Sequence, residues 1–184
     1  MKVEKREILF EGDHIRVRKD YATEGSWESI ELKKYKRGAI VLALTPQHEL
    51  ILEKHYRFPV DSYVIELPAG LAENNESLEN CARRELLEET GYRAKSLVHL
   101  FSGLLCPGLT FIEAHYFYAP DVEYVGFRNL EPTEDIEVIK VPFEKVIDFL
   151  FTLPSNVKFG VNLLGGIFTL EKYLEGKIYR KNKI

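Results

Sequence analysis

The chain has little of what would mark a secreted, metal-clipped or membrane-embedded protein. Only two cysteines, Cys81 and Cys106, stand among its 184 residues. Two make neither a disulfide framework nor a pair at metal-ligand spacing. Cys81 reads as a small core residue. Cys106 sits in a loop before Pro107 with no basic neighbour to activate its thiol. No apolar run approaches the ~20 residues that span a bilayer. The first seven residues are mostly charged and lack a secretory signal's apolar centre, so a cytoplasmic protein is expected. A net charge of −4 gives no general reason to expect nucleic-acid binding. There is one tryptophan, Trp27, and no internal repeat or low-complexity stretch. What remains is 45% hydrophobic and 29% charged, enough for one good globular core.

The hydrophobic pattern predicts strands mixed with about three helices. Residues 7–10, 14–21 and 27–32 alternate apolar with polar, separated by turns at Gly12 and Gly25. They predict a small antiparallel sheet with little core of its own, which must pack on the rest of the chain or on a second subunit. The run Gly38–Leu44 is apolar throughout and reads as a strand buried on both faces. Further strands are expected at 49–57, 62–67, 96–101, 114–119 and 136–141. Helices are expected from Pro142 to Phe151 and from a cap at Ser155–Asn156 to about Leu174. Gly165 and Gly166 inside the last helix suggest close packing. The expected class is an α/β layered domain. Residues 1–36 form an N-terminal β region and residues 37–184 the main domain.

The chemistry concentrates in one stretch. Gly70 begins a loop that leads into an acidic helix. On a 3.6-residue period Leu78, Cys81, Ala82 and Leu86 make an apolar arc, and Glu85 and Glu89 fall inside it one turn apart. Two glutamates on a helix are most often solvated charge. Like charges at i,i+4 on the inward side repel, however, and need a neutralising partner. A divalent cation is the simplest one, because hard cations take carboxylate oxygens.

The spacing is Gly70, five residues, Glu76, seven residues, Arg84-Glu85-Leu86, one residue, Glu88-Glu89, one residue, Gly91, then Tyr92. It resembles the Nudix box, G-x5-E-x7-R-E-U-x-E-E-x-G-U, where U is bulky and apolar. All seven fixed letters match, a coincidence on the order of 10⁻⁸ per starting position at ordinary residue usage. The resemblance covers residues from about 37 to 184. It implies an α/β/α sandwich on a mixed sheet, and Mg²⁺-dependent cleavage of a nucleoside diphosphate derivative, with Mn²⁺ as a substitute ion. It also implies that Glu85, Glu89 and the Ala69 carbonyl hold metal. Glu88 is then a third ligand or a partner behind the ligands, and Arg84 orients a box glutamate.

Three further matches resemble the ADP-ribose pyrophosphatase branch. His55-Tyr56-Arg57 followed by Glu66-Leu67-Pro68-Ala69-Gly70 is similar to its Q-x-R…E-x-P-A-G run, in which the arginine meets substrate phosphate. Pro107, sixteen positions after Gly91, together with Gly108, looks like its marker loop, though a plain turn proline would look the same. Trp27 looks like the residue that stacks on adenine in members whose N-terminal strands are exchanged across a homodimer. A core or sheet-face aromatic is the alternative. The branch places a base in the acidic loop before residue 136. Glu131 and Glu134 are the candidates here, with Glu134 preferred. Glu113 follows Pro107-Gly108 one place later than the branch's ribose-contacting glutamate, and one residue turns a strand's face. The resemblance thus implies hydrolysis of ADP-ribose to AMP and ribose 5-phosphate. The alternatives are GDP-mannose, NADH or FAD as substrate, or a nucleotide-sensing module without turnover.

Overall fold

The computed structural model describes residues 2–73 and 75–178. Asn74 and the end of the 37–184 segment lie outside the described residues. Strands β1 (Lys5–Glu11), β2 (Ile15–Ala22) and β3 (Gly25–Leu32) form an antiparallel sheet by themselves, in the order β1-β2-β3. None of their residues is fully buried, which fits the expected lack of an independent core.

The main body is built on two four-stranded mixed sheets rather than one. The first runs β7 (Ala69–Leu71), β4 (Arg37–Ala43), β10 (Glu113–Ala119), β9 (Val98–Leu104), with β4 and β10 parallel. The second runs β12 (Ile136–Pro142), β5 (Glu49–Arg57), β6 (Ser62–Glu66), β13 (Val157–Phe159), with β6 and β13 parallel. A short pair, β8 (Tyr92–Arg93) and β11 (Glu123–Tyr124), flanks the first helix.

Helix α1 (Leu78–Thr90) packs on one side, and α2 (Val146–Phe151) with α3 (Val161–Leu174) on the other. Alternation along β4 divides the core. Ile40, Leu42 and Leu44 belong to the cluster with Leu150, Leu163, Ile167 and Leu170. Ala39, Val41 and Ala43 belong to the cluster with Cys81, Ala82 and Leu86. Successive strand side chains point to opposite faces, so a strand covered on both faces must be apolar throughout. The run at 38–44 meets that requirement.

Three expectations shift. The last helix starts at Val161 with Gly160 at its cap, not at Ser155–Asn156. Residues 157–159 instead add β13 to the open edge of β6, where their backbone groups find partners. Pro142 closes β12, and Phe143–Lys145 makes a 3₁₀ turn before α2, so that helix is shorter than expected. The strand placed at 96–101 runs instead from Val98 to Leu104. Close packing at Gly166 is observed, against the ring of Tyr116.

Candidate active site

Helix α1 is fixed at both ends by its own sequence. The Ser77 side chain accepts from the Asn80 amide at 3.2 Å, which satisfies one of the free donors of the first turn. Gly91 stops the helix at φ +76°, a conformation that glycine adopts without steric penalty, and its N–H returns to the Leu87 carbonyl. Cys81, Ala82 and Leu86 then bury against β4 and β10, which carries Glu85 and Glu89 inward with them.

The strand β7 lies against the same face. A Cβ on Gly70 would collide with the Glu85 carboxylate, so glycine is what lets the loop approach it. The Ala69 amide donates to Glu89 Oε2 at 2.9 Å. Arg84 lies between three box carboxylates: Nε to Glu76 Oε1 at 2.9 Å, Nη1 to Glu85 Oε1 at 2.8 Å, and Nη1 to Glu88 Oε2 at 3.2 Å. Its hydrogen bonds hold Glu76 below the usual carboxylate range. Glu76 is thus an anchor for Arg84, and Arg84 restrains Glu85 and Glu88.

Ala69, Gly70, Arg84, Glu85, Glu88 and Glu89 line one cleft of about 580 Å³. Arg57 enters it from the end of β5, held by Glu66 with Nε to Oε2 at 2.7 Å. Glu131 and Glu134 enter from the loop before β12. The Glu134 carboxylate accepts from the Glu131 amide at 2.8 Å, and its charge bears on Glu53, Glu85 and Glu89. Ala69, Glu85, Glu88, Glu89, Arg84, Arg57, Glu131 and Glu134 are therefore brought together.

Trp27, Pro107 and Gly108 are brought together elsewhere. They line a separate pocket of about 400 Å³, where Trp27 Nε1 donates to the Gly108 carbonyl at 2.8 Å. Trp27 is 64% exposed on β3, which excludes the core aromatic and leaves the sheet-face one. From the following residues, Ile112 faces the cleft while Glu113 Oε2 lies 3.4 Å from Nε2 of His115, two positions on along β10.

Burial sets the electrostatics. It pushes Glu85 up to about 7 against the pull of Arg84. It pushes Glu53 up to about 8, and Glu89 well above the usual range, with the Glu53 charge adding to the second. The carboxyls converge, acceptors only when ionised, without enough cations of the protein's own. That donor set fits a hard divalent ion.

Sequence reasoning missed Glu53 and His14, and it assigned no site role to His55. Glu53 and His55 are buried on β5, and His14 and Tyr35 line the cleft from the N-terminal side. A signal existed on β5. Leu50 and Leu52 alternate with Ile51, Glu53 and His55, so the two polar residues share a face with a core residue.

The family model of the NUDIX domain matches residues 34–158. The chain belongs to that family. Among curated relatives, it is 35% identical over 118 residues to an ADP-ribose pyrophosphatase of Bacillus subtilis (strain 168), covering 64% of each. It is 34% identical over 125 residues to a GDP-mannose pyrophosphatase of Yersinia enterocolitica, covering 61% of this chain and 64% of that one. It is 35% identical over 128 residues to an ADP-sugar pyrophosphatase of Mus musculus, covering 61% of this chain and 58% of that one. The match thus spans less than two thirds of each relative's length. A crystal structure described as an ADP compounds hydrolase superposes with a TM-score of 0.79 at 20% identity, covering 96% of both chains. That likeness is one of fold, and it extends over the N-terminal sheet as well. Among the described residues no helix is long and apolar enough to cross a membrane.

Proposed function

We propose that this Nudix protein hydrolyses the diphosphate bond of a nucleoside diphosphate derivative, with ADP-ribose cleaved to AMP and ribose 5-phosphate. The observation that carries the reading is one cleft holding the box carboxylates, Arg57 and the acidic loop of Glu131 and Glu134. Glu85 and Glu89, with the Ala69 carbonyl and Glu88, would hold Mg²⁺. When bound, the ion neutralises phosphate charge and lowers the barrier to attack at phosphorus.

The protein's own groups do the rest. Arg57 offers paired donors to phosphate oxygens and is kept aimed by Glu66. Glu134 takes the proton from the attacking water, and Glu131 is its neighbour and the second candidate. As the water oxygen bonds to phosphorus, the bridging P–O bond breaks and its electron pair leaves with the second phosphate. Arg84 keeps Glu85 and Glu88 in register.

Residues 1–36 form a β region set apart from the catalytic domain of 37–184. Trp27 lies outside its own chain's cleft, beside its own Gly108, and the homodimer is one in which the hairpin brings Trp27 to the adenine of the partner's cleft. A cytoplasmic location fits such a substrate.

A panel of ADP-ribose, GDP-mannose, NADH, FAD and a nucleoside triphosphate tests this reading, with Mg²⁺ and with chelator and with products identified by mass. AMP and ribose 5-phosphate from ADP-ribose support it. Faster cleavage of GDP-mannose would keep the chemistry and replace the substrate. Ile112 favours that second reading, since an apolar residue faces the cleft where the branch's ribose-binding carboxylate is not found. Tight binding of one compound with no cleavage would leave a sensing module.

A further inference from the structure

We propose that Glu53, His55 and Glu89 form an inner cation site that takes a divalent transition-metal ion with an imidazole nitrogen among its ligands. The proposal shares Glu89 with the reading above and otherwise stands on other residues.

Two residues of β5 carry it. Ile51, Glu53 and His55 occupy one face of the strand, the face turned to α1. Glu53 is 1% exposed, His55 4% and Glu89 3%. One ligand-capable atom from each lies within 4.8 Å of the other two. Atoms bound to one ion through bonds of ~2.1 Å lie within roughly 4.2 Å of one another, which small side-chain rotations reach from that spacing.

Glu53 Oε1 and His55 Nδ1 are buried and have no hydrogen-bond partner. Leaving such groups unmatched is costly, so buried polar atoms are nearly always paired. The nearby cations are engaged elsewhere. Arg57 is held by Glu66, Arg84 by Glu76, Glu85 and Glu88, and Arg128 donates to the carbonyls of Glu89 and Ile136. Among the described residues no ion pair reaches Glu53 or Glu89. A proton shared between these two carboxyls would quiet their repulsion, yet it would leave Glu53 Oε1 and His55 Nδ1 unsatisfied. A cation among the three residues would take one ligand atom from each.

The nitrogen sets the kind of ion. Mg²⁺ keeps oxygen ligands and water, whereas imidazole favours first-row transition ions. Glu89 then lies between two positions. Its Oε2 accepts from the Ala69 amide at 2.9 Å, and its carboxyl also meets that of Glu53. The outer position, built of oxygens, suits Mg²⁺, and the inner one suits the transition ion.

Pulsed EPR of the full chain loaded with Mn²⁺ after chelation tests the assignment. The expected result is nitrogen modulation from a directly bound imidazole, surviving a large excess of Mg²⁺. His55→Gln should abolish that modulation, and Glu53→Gln should lower the Mn²⁺ bound by one ion per chain. Both are neutral replacements of similar shape, and thermal melts of the metal-free variants check that they fold. Absence of nitrogen modulation in the unaltered protein overturns the proposal without any variant, as does modulation unchanged by His55→Gln. The two readings fail separately. Diphosphate hydrolysis with no nitrogen signal would sink the inner site alone. A nitrogen signal with no hydrolysis of any substrate would sink the functional reading alone.

Discussion

Helix α1 and the hairpin β2–β3 carry the same kinds of charged residue in opposite circumstances. On the hairpin, Lys19 meets Glu28 at 3.0 Å, and on β2 Arg18 meets Asp20 at 3.1 Å. Each has an opposite charge at hand, and Glu28 of the first is open to solvent. On α1 the carboxylates outnumber their cations, and burial shifts Glu85 and Glu89 toward holding protons. The contrast shows what a concentration of charge is for. Solvated pairs are screened and add little to stability. Buried excess charge is tolerated where something outside the chain completes it.

Replacing the buried side should do most. Glu85→Gln keeps the shape and removes the charge. It should lower turnover by about 10³-fold, the equivalent of several kcal/mol of charge stabilisation, in a steady-state assay with Mg²⁺. An unchanged rate would put the metal elsewhere. Gly70→Ala should cost about 10²-fold, because the added methyl displaces the Glu85 carboxylate without touching a charge. A melt should show the fold intact.

Trp27→Ala should raise KM for adenine substrates by about tenfold and leave kcat in place, as loss of a ~1–3 kcal/mol stacking contact would. No change would return Trp27 to its local role beside Gly108.

Metal-free protein should lose stability as pH rises. Glu53 and Glu85 have folded values above the ordinary 4.5, at about 8 and about 7. The folded state therefore holds more protons between pH 4.5 and 8, and stability falls across that window. Saturating Mg²⁺ or Mn²⁺ should flatten the slope of Tm against pH. At the other extreme, Lys19→Ala on the hairpin should leave Tm and turnover unaltered. A large effect there would erase the distinction between the two regions.

Sequence spacing made one half of this site legible and hid the other. The box put Glu85 and Glu89 on an inward helix face because a 3.6-residue period can be counted within one element. The antiparallel N-terminal sheet and the doubly buried strand at 38–44 were legible for the same reason. Glu53 and His55 were not, because a charged residue in a strand ordinarily marks the solvent face. Only the packing of α1 onto that face reverses the inference. The parallel pairing of Val157–Phe159 with β6 was hidden likewise, since three residues carry no period and the partner is more than 90 positions away. The separation of Trp27 from the cleft depends on how the hairpin meets the loop after β9, a tertiary matter throughout.

The hydrogen bond from Trp27 to Gly108 makes the protein self-reporting. With one indole in the whole sequence, tryptophan emission, excited where the tyrosines do not absorb, comes from a single known place. Its emission maximum and its quenching by iodide read how the N-terminal hairpin sits on the 103–112 segment, with no label attached. A blue shift on dilution, on concentration or on adding nucleotide would each time describe the surroundings of that ring and no other.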